Sequence, residues 1–540
     1  MFIIKYYLLG AILSLVLAAV MPHPLLGVLF LWLALSFSLV SIAYLTDRPE
    51  IFRKSNDGHI PSYIRWGFIP FLLGVSLYNF WIRKKDTVPA IQKIDDNLYL
   101  GRRLLPSDLE QLSELGITAI LDVTAEFDGL ESSSNQKQFD YLNIPVLDHK
   151  TPSIDKVKHA IRWINAQMSD GGSVVIHCAL GRGRSVFVMA AFMLSRDPES
   201  SVSDVLAEIN RIRKTARLNK SQEKALTTFN NDKLDASSKT AHLIVNPVSG
   251  GKKWQLHRSE IIRNLTTQYA LHIHTTTPER TAADLANKVK QQNTKYVFVG
   301  GGDGTLTEVS SELVDTDITL GFIPLGTANA LCHVLYGITN KVLPVDTACD
   351  AILSGNTRKL DTVQCNDQLM LLMLGIGFEH EMIDYADREE KNDGGQLAYI
   401  KGFLGALNSK RDHKLTVRIN DGKPQALNVS SLAIANTTPF TSLLAYTEGK
   451  ESSSDGKLHI TYIPNSDSVV ESALSISQLA LSGIWGNLNT EQVSYIKAKK
   501  VEISSDNNID YVIDGELYSS NNIEISVRAK SLTVFDRLVM

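Results

Sequence analysis

Two regions of the chain carry residues whose types and spacing point to phosphate chemistry. The first is VIHCALGRGRS, Val175 to Ser185, in which Cys178 precedes Arg184 with Gly181 and Gly183 between them. A thiol attacks phosphorus as its thiolate, so such a loop has to stabilise an anion. A loop running from a strand end into a helix does so with converging backbone N–H groups and the positive helix terminus. The two glycines let those N–H groups turn inward. The planar fork of Arg184 can hold two phosphoryl oxygens. Ser185 is placed to stabilise Cys178 as the leaving group when a phosphocysteine hydrolyses. Asp148, in IPVLDHKTP, begins a loop after an apolar run and suits a movable general acid for the leaving alkoxide.

The second region holds three glycine segments in order, IVNPVSGGK (Ile244 to Lys252), GGGDGTLTE (Gly300 to Glu308) and PLGTANAL (Pro324 to Leu331), each after an apolar run. Glycines bring backbone close to phosphate oxygens, and a following helix N-terminus favours their charge. Asp303 is expected to hold a metal or position a nucleotide. Moving a γ-phosphoryl group requires its charge to be neutralised, which implies Mg²⁺. One region is built to remove a phosphate and the other to attach one.

Alternating elements must position these loops. ITAILDV (Ile117 to Val123) and GSVVIHC (Gly172 to Cys178) read as buried strands, and Val157, Ile161, Trp163 and Ile164 recur at helical spacing. Asn231 to Thr240 is polar and small, a linker. Beyond it α and β alternate again, and after about Leu360 strand patterns dominate. The 540 residues, enough for three or four domains, divide into 1–88, 89–235 and 240–540. The last piece has an α/β lobe at about 240–355 and a β-rich lobe at about 356–527.

Residues 1–88 differ in kind. Tyr6 to Thr46 contains no Asp, Glu, Lys or Arg and is interrupted by Met21-Pro22-His23-Pro24. As helix it would span about twice the ~30 Å hydrocarbon thickness, so it reads as two membrane helices joined at the prolines. A cleaved signal peptide over Met1 to Ala19 is the alternative. A third uncharged run, Trp66 to Ile82, is either a further span or a helix lying in the interface. Charge placement favours two spans and hydrophobicity three. As a separable anchor, residues 1–85 should be removable without loss of turnover. The net charge of −4 offers no field for a nucleic-acid backbone. The four cysteines have neither zinc nor disulfide spacing and read as thiols in a reducing compartment.

The His177-Cys178 to Ser185 signature, with IDDNLYLGRRLLPSDLEQLSELGITAILDV upstream, resembles the cysteine-dependent dual-specificity phosphatases. Its Gly-Arg-Gly-Arg-Ser wording is similar to the branch with phosphatidylglycerophosphate phosphatases. Ala179 stands where phosphoinositide phosphatases often have lysine. The glycine segments with Asp514-Gly515-Glu516 resemble the diacylglycerol kinase catalytic domain of bacterial lipid kinases and sphingosine kinases. That resemblance implies ATP contacts from Asn246, Thr276, Gly301, Gly302, Asp303, Gly304, Thr305 and Thr327. It makes Glu516 the base at the lipid hydroxyl, and has Asp455 hold Mg²⁺ with backbone carbonyls of Ser452 and Lys457. Glu379-His380 departs from the usual Asp-Ala. The expected fold is multidomain: N-terminal transmembrane helices, an α/β phosphatase domain and a two-lobed lipid kinase. The expected protein is a bifunctional enzyme of the inner (cytoplasmic) membrane with its catalytic domains facing the cytoplasm. Its partners would be the bilayer, a lipid substrate and a phosphorylated lipid or phosphoprotein. A protein phosphatase with a nucleotide- or lipid-sensing lobe is the alternative.

Overall fold

The computed structural model describes residues 2–130, 139–231, 239–337, 342–377, 413–437, 453–464 and 494–537. The chain divides into two compact units, Met1–Lys239 with Arg258–His272, and Thr240–His257 with Ile273–Met540.

In the first unit the N-terminal run forms helices α1 (Phe2–Val20), α2 (Pro24–Thr46) and α3 (Ser62–Lys85). Pro24 opens α2, where a missing N–H costs nothing, so the expected proline turn separates the first two helices. The third uncharged run lies inside α3, which continues through Pro70. Among the described residues α2 is the one helix long and apolar enough to cross a membrane, and the apolar helix Ile4–Val20 is shorter. The start of α1 meets the end of α2. The Tyr7 ring lies 5.6 Å from Tyr44 and 5.5 Å from Phe71 of α3.

Behind them stands a sheet in the order Ile91–Asp95, Leu98–Gly101, Val174–His177, Ala119–Asp122, Asp140–Asn143. The first pair is antiparallel and the rest are parallel. Covered on both faces, the central strands are buried along their whole length, which explains their unbroken apolar sequence. The helix Arg184–Arg196 leaves the central strand through the cysteine loop and is buried from Arg184 to Phe192. Functional groups of open α/β sheets gather beyond the carboxyl ends of the strands, and Cys178 stands there.

The segment joining α2 to α3 is fastened to this sheet. Gly129 N donates to Gly58 O (2.8 Å) and Ile60 N to Asp128 Oδ1 (2.9 Å). Gly58 has φ 83°, and a Cβ there would collide with the Tyr141 hydroxyl. The N-terminal segment and the α/β layer fall in one compact unit, and the segment carries Lys54 into the core of that layer.

In the second unit the parallel strands Lys239–Val245, Tyr296–Gly301 and Thr319–Pro324 each end in a glycine segment. They belong to a 13-stranded sheet that continues into the antiparallel strands after residue 356. The last strand, Glu516–Phe535, pairs with Lys500–Ile513 and then returns to lie parallel to Thr319–Pro324 at Thr533 and Val534. Leu532 and Val534 share a buried cluster with Leu320 and Phe322. The chain after residue 527 thus completes the nucleotide-side core.

Candidate active sites

Cys178 is buried and accepts a hydrogen bond from Ser185 Oγ at 3.2 Å. Arg184, also buried, lies with Nη2 3.5 Å from Asp148 Oδ1. The four residues singled out in the sequence therefore meet. Asp148 is half exposed, as a group that must reach a leaving oxygen should be.

Several partners were not legible in the sequence. Glu126 takes both terminal nitrogens of Arg184, at 2.9 and 2.7 Å, and Val146 O accepts a further bond at 2.7 Å. These bonds fix the plane of the fork, and Arg184 Nε remains buried without an acceptor among the described residues. It is a donor held for an oxygen the protein does not supply. The signal for Glu126 was its place four residues beyond Asp122, at the end of the strand beside that of Cys178.

The loop is braced from outside through its carbonyls. Asn79 Nδ2 of α3 donates to Ala179 O at 2.9 Å, and Arg103 N does so at 3.2 Å. Buried Arg213 donates to Gly181 O (2.8 Å) and Leu180 O (3.4 Å), and Arg217 N to Arg182 O (2.8 Å). With successive carbonyls held outward, the loop is shaped to present its N–H groups to an anion. Gly181, at φ 65°, comes so near Gly101 O that no side chain fits there. Beneath the loop, Lys54 donates to Asp122 Oδ2 (2.6 Å) and Thr124 O (3.0 Å), and Tyr141 Oη donates to the same carboxylate at 2.8 Å. Burial alone would push the Asp122 carboxyl up, but Lys54, His177 and the bonds it accepts hold it well below its ordinary value. Burial lowers His177 despite the Asp122 charge.

In the second unit the glycine loops converge. Leu325 N and Gly326 N both donate to Gly301 O, and a Cβ on Gly326 would strike Gly302. Asn246 Nδ2 donates to Thr305 Oγ1 at 3.3 Å, and Thr276 N donates to Val245 O at 2.9 Å. Asp303 Oδ1 accepts from Leu331 N at 3.3 Å, tying the second loop to the third, on which Thr327 is exposed. Asn329 accepts from Gly326 N and donates to Gly326 O, a loop-shaping role that the sequence did not reveal.

Asp514 and Gly515, at φ 49° and 101°, make the two-residue turn before the last strand, as an Asp-Gly pair in a type I′ hairpin does. The turn carries Glu516 to the second loop, with Oε1 3.9 Å from where a Cβ on Gly304 would sit. Asp514 itself accepts the N–H groups of Leu371, Leu372 and Met373, at 2.6 to 2.9 Å. Burial pushes its carboxyl up to about 6 against the pull of those bonds.

Asp455, on the surface, accepts from Lys457 N at 2.9 Å and faces His459 Nε2 at 3.2 Å. Ser452 and Glu379-His380 lie outside the described residues. Among the described residues no group of three or more His, Cys, Asp or Glu is gathered for a metal. A Mg²⁺ that arrives with ATP takes most ligands from phosphate and water and needs one or two carboxylates, which an exposed Asp455 fits. Cys332, Cys349 and Cys365 are buried, and none is in a disulfide among the described residues.

Residues 98–232 match the family model of the dual specificity phosphatase catalytic domain, and residues 240–365 that of the diacylglycerol kinase catalytic domain. An uncharacterized Synechocystis protein is 34% identical over 56% of this chain and 71% of its own length. The chain belongs to the diacylglycerol kinase family and carries a dual specificity phosphatase domain ahead of the kinase. The Bacillus subtilis diacylglycerol kinase is 26% identical to it, over 52% of this chain and 90% of that one. A putative diacylglycerol kinase from Bacillus anthracis, a solved structure, is 20% identical with a TM-score of 0.45, covering 56% of this chain and 99% of that one. A diacylglycerol kinase domain implies ATP use.

Proposed function

We propose that the protein is a membrane-anchored bifunctional enzyme: a cysteine-dependent phosphatase over about residues 89–235 and an ATP-dependent kinase for a lipid hydroxyl over 240–540. What supports the reading is that each phosphate loop has its acid–base group beside it, Asp148 at Arg184 and Glu516 at Gly304.

In the phosphatase, Arg184 and the loop N–H groups bind the phosphoryl oxygens. Cys178 Sγ attacks phosphorus, the ester oxygen leaves, and Asp148 gives it a proton. Water then displaces the sulfur, with the Ser185 hydroxyl stabilising the departing thiolate. In the kinase, Asn246, Thr276, Gly301 to Thr305 and Thr327 cradle the triphosphate, and Glu516 takes the proton of the acceptor hydroxyl. Mg²⁺, when bound, neutralises phosphate charge, and Asp455 with carbonyls of Ser452 and Lys457 would hold it. Exposed Leu9, Ile12, Leu13, Leu25, Val28 and Leu35 along α1 and α2 suit a bilayer. The meeting of Tyr7 with Tyr44 suits a hairpin with both ends on the cytoplasmic side and α3 in the interface.

The test is a crossed pair of variants on the full chain in vesicles. Cys178→Ser should lose aryl phosphate hydrolysis and keep lipid phosphorylation, while Glu516→Gln should do the reverse. Turnover by Cys178→Ser, or full transfer by Glu516→Gln, would refute the corresponding half.

A further inference from the structure

We infer that α3 lies flat between the phosphatase sheet and a lipid bilayer. Its outer face rests on lipid and its inner face shapes the cysteine loop, so that lipid contact sustains phosphatase turnover even on a soluble substrate. This deepens the membrane-anchor reading and rests on it.

A helix that crosses a bilayer has its ends on opposite sides, but both ends of α3 rest on the same end of one sheet. Near its start, Arg65 Nη2 lies 3.4 Å from Asp128 Oδ1, on the chain that follows the strand Ala119–Asp122. Near its finish, Arg83 Nη1 donates to Arg103 O at 2.7 Å and Nη2 lies 3.6 Å from Asp108 Oδ2, on the chain that follows Leu98–Gly101. Between them Asn79, 4% exposed, donates to Ala179 O at 2.9 Å. From Arg65 to Arg83 is about 27 Å of helix, so α3 runs across the carboxyl ends of the strands and is no third span.

At 3.6 residues per turn, Trp66, Leu73, Leu77 and Trp81 point away from buried Phe68, Phe71 and Asn79, and each is more than half exposed. The helix holds no acidic residue, and its last turn carries Arg83, Lys84 and Lys85. Arg83 turns to the sheet, while Lys84 and Lys85 are exposed. An apolar outer face with tryptophan at both ends and a basic last turn is the pattern of a helix lying in a bilayer surface. The face also stands beside the membrane hairpin, since Trp32 Nε1 of α2 donates to Gly67 O at 3.1 Å.

The face that meets lipid is bonded to the loop. Asn79 and Arg103 N both donate to Ala179 O, and Arg83 donates to Arg103 O. These bonds close a ring through α3, the chain after Leu98–Gly101 and the residue next to Cys178. A displacement of α3 therefore draws on the carbonyl beside the nucleophile.

The test uses the full-length protein in vesicles of phosphatidylcholine with phosphatidylglycerol. In the first arm Leu73→Cys, Leu77→Cys and Phe80→Cys each receive a nitroxide label; the native cysteines are buried, and the parent chain gives the background. All three labels should sit about 5–10 Å below the headgroups. A Leu73 label about 15 Å deep, at the midplane, would mark a span and overturn the inference. Labels open to an aqueous relaxant, or shielded from both water and lipid as beneath a protein partner or a second copy, would overturn it while the anchor stands. A protein that does not float with the vesicles would overturn both.

The second arm follows nitrophenyl phosphate, which needs no membrane. Leu73→Glu/Leu77→Glu should lower kcat about tenfold with KM little changed, and so should Asn79→Leu; the combined variant should be no slower than either, because both act through one contact. Losses that multiply, or a glutamate variant as fast as wild type, would overturn the link from lipid to loop. A wild type without aryl phosphatase turnover would remove the phosphatase reading and this link together, with the label depths still deciding where α3 lies.

Discussion

Replacing Lys54 by methionine keeps the length of the side chain and removes its ammonium from a site where both partners are enclosed: Lys54 is 1% and Asp122 0% exposed. The carboxylate would retain Thr124, the Tyr141 hydroxyl and His177 at 3.9 Å but lose the ammonium 2.6 Å away. Breaking one side of a buried pair costs about 3–5 kcal/mol, because a charge stays behind uncompensated. With a urea dependence of about 2 kcal/mol/M, the unfolding midpoint of the phosphatase unit should fall by roughly 2 M. The pH dependence has a definite sign. In the wild type Asp122 is depressed, so its contribution is present above the unfolded carboxylate value and lost as pH falls. Without Lys54, burial favours the protonated form, so the deficit of the variant should be largest near pH 7 and shrink towards pH 4. Adding Asp122→Asn removes the stranded charge and should recover much of the loss. The assay is urea denaturation of detergent-solubilised protein alongside aryl phosphatase activity. A single variant within 1 kcal/mol of wild type, or a double variant no more stable than the single, would refute the reasoning.

Deleting residues 1–88 removes Asn79 and Lys54 together, so phosphatase turnover should fall at least tenfold while transfer from ATP to a short-chain diacylglycerol persists. Asp148→Asn should slow alkyl phosphates by roughly 10²-fold or more and nitrophenyl phosphate little, since only poor leaving groups need the proton; equal slowing would point to another acid. Asp303→Asn keeps an oxygen for Leu331 N and loses the charge, so calorimetry should show weaker Mg²⁺–ATP binding, by about tenfold, with an unchanged melting temperature. Asp514, raised to about 6, should contribute stability that is fully present below the unfolded value and lost as pH rises through 6, on the order of 2–3 kcal/mol in all; Asp514→Asn should flatten that profile in thermal melts.

The legible parts of both sites are those in which one short segment does the work. Cys178, Arg184 and Ser185 lie on a single turn from strand to helix, and the glycine segments announce themselves through local backbone requirements. Asp148 was readable because it begins a loop after a strand. Arg213, Asn79 and Lys54 act on the cysteine loop or the strand end below it from other elements, and nothing in their neighbours gives that away; Glu126 has only its place just beyond a strand end to mark it. An asparagine in an apolar helix and a lysine in a connector have many ordinary uses. Asp514 shows the same limit. YVIDGELY reads as one strand, whereas the Asp-Gly pair turns it into a hairpin, and the three N–H groups Asp514 holds belong to residues far away in sequence.

The return of the final strand to Thr319–Pro324 bears on how the kinase is made. The nucleotide-side sheet gains its outer parallel neighbour from chain synthesised after the whole antiparallel lobe. Until Thr533 and Val534 are available, Leu320 and Phe322 lack part of their apolar cover. A nascent kinase therefore waits, with a bare strand edge and an open core, for a pairing that closes a very long loop. The phosphatase sheet has all its strands by Val174–His177 and its unit is complete with Arg258–His272, so it can consolidate while most of the kinase is still emerging. During that interval the unpaired edge of Thr319–Pro324 is the place most open to chaperone capture or to mispairing with another chain.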